Sequence, residues 1–378
     1  MLRYVRERHI ELLRERLATV PADGAAGGPV SRPITTVDPD QREEWIRRIM
    51  VGPLARIRRG LTIEPQELGS TLSAYLTCSD PADLRQVDVA HNAYEALLSA
   101  QPRYGTPPGF WRAYSLILQT HVAELANGRI RTYGVPSGEP TVIQPCKAPL
   151  RVLILADNFL SGSRIWKSVS ADPGNVTPHM FFCNNAQRPV PGYALHLLGS
   201  LGVLLLRGAL GLGLSMLRGR PRVSARPLGD SANTAWLEGN AFDIGLHNMG
   251  MIYRQETMAA FKRGILNAHI GYLPGMRGRS VFEWSLVLGV PPCVSTFFID
   301  QGIDTGRLIV DRYLPRLETG CASGSVAAAK RSLFHLDGWC YRRAITRLVE
   351  GGEGILNEPS GERFYVMSEL LAASLSDS

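Results

Sequence analysis

A chain of 378 residues with 45% hydrophobic side chains is long enough for two domains with separate cores, which excludes a disordered polypeptide. Its formal charge of +7 and pI near 9.2 favour an anionic substrate or surface, and charge alone does not make a nucleic-acid binder. Six cysteines (Cys78, Cys146, Cys183, Cys293, Cys321 and Cys340) stand singly, with no C-x-x-C pair and no His/Cys cluster of zinc spacing. Reduced, buried thiols in a cytoplasmic protein, with no metal site, are the expectation.

In chain order, arginines at 3, 6, 8, 14 and 16 alternate with Glu7, Glu11 and Glu15, which predicts a surface helix with ion pairs rather than an acid-poor transit peptide. The Gly-, Ala- and Pro-rich stretch 21–33 reads as a flexible linker, so 1–39 forms a helix and its tether. From 40 to 140 the pattern is helical. Trp45, Ile46, Ile49 and Met50 form one stripe, Val87, Ala90, Tyr94, Leu97 and Leu98 a second, and Phe110, Trp111, Tyr114, Leu118, Val122 and Leu125 a third. His121, within the third, is read as a packed histidine. The run Gly134-Val135-Pro136-Ser137-Gly138-Glu139-Pro140 marks a boundary.

Leu150-Arg151-Val152-Leu153-Ile154-Leu155-Ala156 is an apolar run suited to a first parallel strand. Ser161-Gly162-Ser163 then opens a helical stretch, with helix capping the expected task of both serines. Strands are expected again at 179–183 and 241–247. Between them, 193–217 is rich in leucine and approaches a membrane span in length. Arg207 sits at its centre, where a charge costs about 2.5 to 3.5 kcal/mol to insert, and Gly199, Gly202, Gly208, Gly211 and Gly213 weaken a helix in water. A buried insertion is the expectation; the alternative is an interfacial helix whose flanking Arg218, Arg220, Arg222 and Arg226 touch anionic lipid or a partner.

The chemistry concentrates further on. Asn267 and His269 are one residue apart at the end of an apolar run, so on a strand their side chains share a face and can converge on one ligand atom. Leu273-Pro274-Gly275-Met276-Arg277-Gly278 follows, and a second apolar run, 294–299, is expected to deliver Asp300-Gln301-Gly302-Ile303-Asp304 to the same edge. An Asn-x-His or an Asp-Thr-Gly alone would be an ordinary turn element. It is the ordered set that carries the functional reading. No G-x-x-x-x-G-K-[ST] phosphate loop and no G-x-S-x-G elbow competes with it.

This ordered set resembles the active site of the folate-dependent formyltransferases, and the resemblance runs from about 149 to 312, with a weaker echo at 361–367. It implies a Rossmann-like α/β fold with a mostly parallel sheet over 141–320, preceded by the helical domain and followed by a helical tail, 321–378. It implies 10-formyltetrahydrofolate as co-substrate and a small primary amine as acceptor: an amino sugar, an amino acid or a natural-product precursor, anionic in view of the net charge. Asn267 and His269 would stabilise the developing oxyanion, and Asp304 would take the amine's proton. Asn248, Met249, Gly250, Leu273, Pro274, Arg277, Gly278, Asp300 and Gly302 would line the folate site, with Arg277 suited to a carboxylate or to stapling its own loop.

Two departures stand out. Ile270-Gly271-Tyr272 replaces the Ser or Pro that many relatives carry after the histidine, which alters the pocket wall. The extra mass precedes the catalytic region, whereas methionyl-tRNA formyltransferases add a barrel after it, which argues against initiator tRNA. The helical domain is expected to recognise the acceptor or to mediate self-association into a homo-oligomer. The competing readings are a 10-formyltetrahydrofolate hydrolase and a non-catalytic scaffold with the same fold.

Overall fold

The computed structural model describes residues 85, 88, 89, 137–288, 290–315, 326–358 and 363–367. The expected N-terminal helix, the linker, the three helical stripes with His121, and Cys78 and Cys321 lie outside them, apart from Arg85, Asp88 and Val89. The chain divides into two compact units: Val135–Arg277 with Pro291–Glu362, and Met1–Gly134 with Gly278–Val290 and Arg363–Ser378.

The first of these units is built on a nine-stranded sheet. Its strands are β1 (Pro140–Ile143), β2 (Leu150–Ala156), β3 (Val176–Cys183), β4 (Arg222–Ser224), β5 (Ile244–Asn248), β6 (Ile265–His269), β7 (Val294–Phe298), β8 (Leu308–Tyr313) and β9 (Gly352–Leu356). They lie in the order β1-β9-β8-β7-β6-β5-β2-β3-β4. The Rossmann-like parallel sheet with flanking helices is present from β4 to β6, where every pairing is parallel. From β6 outward the sheet continues antiparallel through β7, β8, β9 and β1.

β2 is central because its residues are apolar on both faces; Val152 through Ala156 are all fully buried, as a strand covered by helices on both sides requires. One face packs on α1 (Phe159–Val169), α2 (Val190–Leu206), α3 (Leu210–Arg218) and α8 (Asp337–Glu350), through Ile154, Ile165, Trp166, Leu197, Met216 and Tyr341. The other packs Leu153, Leu155 and Ile265 against Leu237 of α4 (Ser231–Asn240) and Met258 of α5 (Gln255–Ala259). Pro140 opens an edge strand, the position in a sheet where its missing N–H does no harm.

Two expectations change. The region after 320 is not helical throughout: α7 (Val326–Phe334) and α8 are followed by β9, which enters the sheet between β1 and β8. The apolar segment is only half buried. It folds as α2 and α3 joined at Arg207-Gly208-Ala209, with Tyr193, Leu197, Leu204 and Met216 in the core and the intervening leucines at the surface. A helix pair has one face for the sheet, and this segment is apolar all round. Among the described residues, no helix is long and apolar enough to cross a membrane.

In the other unit, α6 (Val281–Leu288) buries Phe282 and Trp284. The Trp284 Nε1–H donates to the Tyr365 carbonyl at 3.0 Å, and the Arg279 N–H to that of Phe364 at 2.9 Å. Cys146, Cys183, Cys293 and Cys340 are free and buried, and burial pushes the thiols of the last three up to about 12.

Candidate functional site

β6 is where the sheet changes from parallel to antiparallel; beside it the strand order reverses between β2 and β5, and ligands of open α/β sheets bind beyond the carboxyl ends of strands at such reversals. Along β6, Leu266 and Ala268 face the α8 side, so Asn267 and His269 project to the opposite face. Leu246 pairs with Leu266, which sets His247 of β5 beside Asn267 on that same face. Among the described residues the Asn267 side chain has no hydrogen-bond partner, so its amide is free to serve a ligand.

Asp304 reaches His269 by a route the sequence did not suggest. β7 runs antiparallel to β6, with Leu266 opposite Phe298, so the turn leaves from the opposite end of the strand and doubles back. The Asp304 Oδ2 then lies 3.6 Å from His269 Nδ1, with both side chains largely shielded from solvent. The other ring nitrogen, Nε2, is 3.3 Å from the Met276 carbonyl. With its hydrogen on Nε2, the imidazole is held by that carbonyl and turns Nδ1 to Asp304; a proton gained at Nδ1 makes the contact an ion pair.

The turn is built to hold that carboxylate. Asp300 Oδ1 accepts from the Gly302 N–H at 2.9 Å and the Thr305 hydroxyl at 2.7 Å, an Asx-type closure that gives Asp300 and Gly302 a shaping task. Asp304 itself has φ +55°, a left-handed conformation that Asp and Asn tolerate. Gly306 is seated so closely on the Phe298 carbonyl that any side chain would collide with it. Buried Asn357, just beyond β9, donates from Nδ2 to the carbonyls of Asp304 at 3.0 Å and Gly306 at 2.9 Å. No feature of the sequence marked Asn357, more than fifty residues away.

The loop after His269 is pinned as well. Ser295 Oγ donates to the Gly271 carbonyl at 2.7 Å and accepts from the Leu273 N–H at 3.2 Å. Arg312 donates to the Leu273 carbonyl while its guanidinium lies 4.2 Å from the Tyr272 ring centroid. Leu273 and Pro274 are thereby buried, and Arg277 is half-buried at the loop's end. Gly278 belongs to the other unit, where its φ of +109° and the adjacent Phe364 backbone leave no room for a side chain.

At the end of β5, the Asn248 side chain donates to the Ser161 carbonyl at 2.6 Å, Met249 is buried beside Cys183 and Asn185, and Gly250 is exposed. Asn158 is the N-cap of α1 and Ser161 completes a capping box: Asn158 accepts from the Ser161 N–H at 2.9 Å while Ser161 Oγ accepts from the Asn158 N–H at 3.3 Å, whereas Ser163, also expected to cap, donates to the Leu160 carbonyl inside the helix. Nearby, burial raises the Asp157 carboxyl against the opposing pull of His196 and Arg188.

Two further residues escaped sequence reading. Tyr341 of α8 donates its hydroxyl to the His247 carbonyl at 2.6 Å and accepts from the Ala268 N–H at 3.0 Å, linking β5 and β6 beside the site. His247 has its Nδ1 2.7 Å from the Tyr253 hydroxyl; burial lowers its pKa to about 4, partly opposed by Asp304. Because the ordinary value is 6.5, the unfolded chain takes up this proton first as pH falls. Above 6.5 the residue contributes no pH dependence; between 6.5 and about 4 the fold loses stability, by about 3 kcal/mol at the lower end. His247→Gln is expected to flatten that part of the stability profile, measured by urea unfolding at intervals of pH; an unchanged slope would refute the assignment.

The chain matches known proteins over short stretches. The chain is 34% identical over 67 residues to the methionyl-tRNA formyltransferase of Geobacter sulfurreducens, a match covering 18% of this chain and 21% of that protein. The chain thus spans about a fifth of the length of that relative. No protein-family model matches. Among solved structures, a sugar N-formyltransferase from Shewanella sp FDAARGOS_354 aligns over 58% of this chain and 78% of its own, with TM-score 0.39 and 16% identity. The formyltransferase PseJ from Anoxybacillus kamchatkensis, in complex with UDP-4,6-dideoxy-4-formamido-L-AltNAc and tetrahydrofolate, covers 57% and 86%, with TM-score 0.33 and 16% identity.

Proposed function

We propose that this chain, as a member of the folate-dependent formyltransferase family that its motifs and its sequence matches support, transfers a formyl group from 10-formyltetrahydrofolate to the primary amine of a small metabolite. The observation that carries the proposal is the approach of Asp304 to within 3.6 Å of His269, on the face of β6 from which Asn267 also projects. The free Asn267 amide fits a formyl oxygen, and the shielded carboxylate fits an amine proton. When bound, the folate supplies the formyl carbon.

In this reading the amine nitrogen forms its bond to the formyl carbon and the bond from that carbon to the folate nitrogen breaks. Asn267 donates a hydrogen bond to the negative charge that develops on the formyl oxygen, and the His269 Nε2–H donates a second by exchanging its 3.3 Å contact with the Met276 carbonyl for that oxygen. Asp304 accepts the proton released by the amine, directly or through one water, and returns it to the folate nitrogen as the bond from that nitrogen to the formyl carbon breaks. Leu273, Pro274 and Arg277 would form the wall on the folate side, with Asn248, Met249 and Gly250 in the loop beyond β5.

The test is tetrahydrofolate release from 10-formyltetrahydrofolate by the purified full chain, with and without a panel of amino sugars and amino acids. Release that requires an amine, with the formamide identified by mass, is the expected result. Release without an amine would replace transfer by hydrolysis, and the absence of both release and folate binding would leave only the scaffold reading.

A further inference from the structure

Between Asp172 and Asp230 the sequence has no acidic residue and six arginines: Arg188, Arg207, Arg218, Arg220, Arg222 and Arg226. This stretch contains α2 and α3. One side of the pair is spent on the sheet, through Tyr193, Leu197, Leu204 and Met216. On the other, Leu195 is 70% exposed, Leu198 66%, Leu206 89% and Leu210 56%. Gly199, Gly202 and Gly211 have only open space where a side chain would stand. Scattered exposed leucines are ordinary, but a contiguous apolar face is not.

The charges frame the apolar face. Arg207 lies in the turn between the helices, next to Leu206, and Arg218 and Arg220 lie at the far end of α3; all three are exposed, and among the described residues none is in an ion pair. Arg226 is different, being paired with Asp230 at 3.3 Å, and Arg222 lies 4.4 Å over the Trp236 ring. An apolar helical face with cations at its central turn and at one end, and no anion along its length, complements a surface that is apolar inside and negatively charged outside.

We propose that α2 and α3 dock this protein on an anionic lipid bilayer, with Leu195, Leu198, Leu206 and Leu210 in the acyl boundary and Arg207, Arg218 and Arg220 at headgroup phosphates. The pair covers the face of the sheet opposite to Asn267 and His269, so docking leaves the candidate site face uncovered. This inference does not depend on the reaction proposed above.

The experiment is co-sedimentation of the purified full chain with vesicles of mixed phosphatidylglycerol and phosphatidylcholine, against vesicles of phosphatidylcholine alone, at low and high salt. Binding to the anionic vesicles is expected, weakened by salt. The triple variant Arg207→Gln/Arg218→Gln/Arg220→Gln is expected to bind about 100-fold less well at low salt, and Leu195→Ser/Leu198→Ser/Leu206→Ser to lose binding. Circular dichroism checks that each variant is folded, and single Leu206→Glu, at the most exposed site, replaces any that is not. Absence of sedimentation, equal binding to neutral vesicles, or binding retained in the leucine variant would overturn the proposal. So would a concentration-dependent dimer, seen by light scattering, that the leucine substitutions dissolve while vesicles are ignored, since the face would then be covered by a second copy.

Discussion

Asp304→Asn is expected to reduce amine-dependent tetrahydrofolate release by about 100- to 10,000-fold, the usual worth of a positioned proton acceptor, with little change in melting temperature. The substitution keeps the side chain's shape. Asn also tolerates the left-handed backbone at φ +55°, so the turn made by Asp300, Gly302 and Thr305 is preserved. What it removes is the carboxylate 3.6 Å from His269. Asn267→Ala is expected to cost about 100- to 1,000-fold in kcat with KM for the folate little altered, because the amide is needed chiefly when charge develops on the formyl oxygen. That side chain has no partner among the described residues, so its loss leaves no group unsatisfied and stability is unaffected. Activity within tenfold of wild type in both variants would remove these residues from the mechanism.

Asn357→Ala is expected to act on the same centre from outside it. The substitution deletes two hydrogen bonds, to the carbonyls of Asp304 and Gly306, in a position that is 2% exposed. Leaving such acceptors unpaired costs about 2 to 3 kcal/mol, or about 4 to 12 °C in melting temperature for a unit of this size. The turn that presents Asp304 loosens, so kcat falls further than the stability loss explains. Combining Asn357→Ala with Asp304→Asn separates positioning from general damage. If Asn357 serves catalysis by placing the carboxylate, the double variant is little slower than Asp304→Asn alone. Multiplicative losses would mean that Asn357 acts elsewhere.

The parts of the fold that are legible in the sequence are those fixed by local pattern. β2 occupies 150–156 because that apolar run is bounded by polar residues and buried on both faces. Asn267 and His269 share a face because strand alternation leaves no other arrangement. Strand direction is not written locally: the run that forms β7 reads the same in either sense, and its antiparallel pairing emerged only from the packed sheet. Asn357 and Tyr341 were invisible for a related reason. Their partners lie more than fifty residues away in the chain, and neither belongs to a motif. Hydropathy identified the segment around α2 and α3 as one that avoids water; it could not tell which of its sides the sheet would cover.

β9 carries a further consequence. Its slot in the sheet is between β1 and β8, where Ile355 meets Pro140 on one side and Ile309 on the other. As the chain is synthesised from its amino end, β1 therefore emerges long before its strand neighbour among the described residues, and the clamp at Asn357 arrives later still. Such distant pairings are the slow ones, because loop closure precedes any gain from contact. The early strands must wait with an open edge, and the turn bearing Asp304 stays unclamped until the last strand of the sheet has threaded into place. Assembly of the turn that bears Asp304 is thus coupled to completion of the sheet.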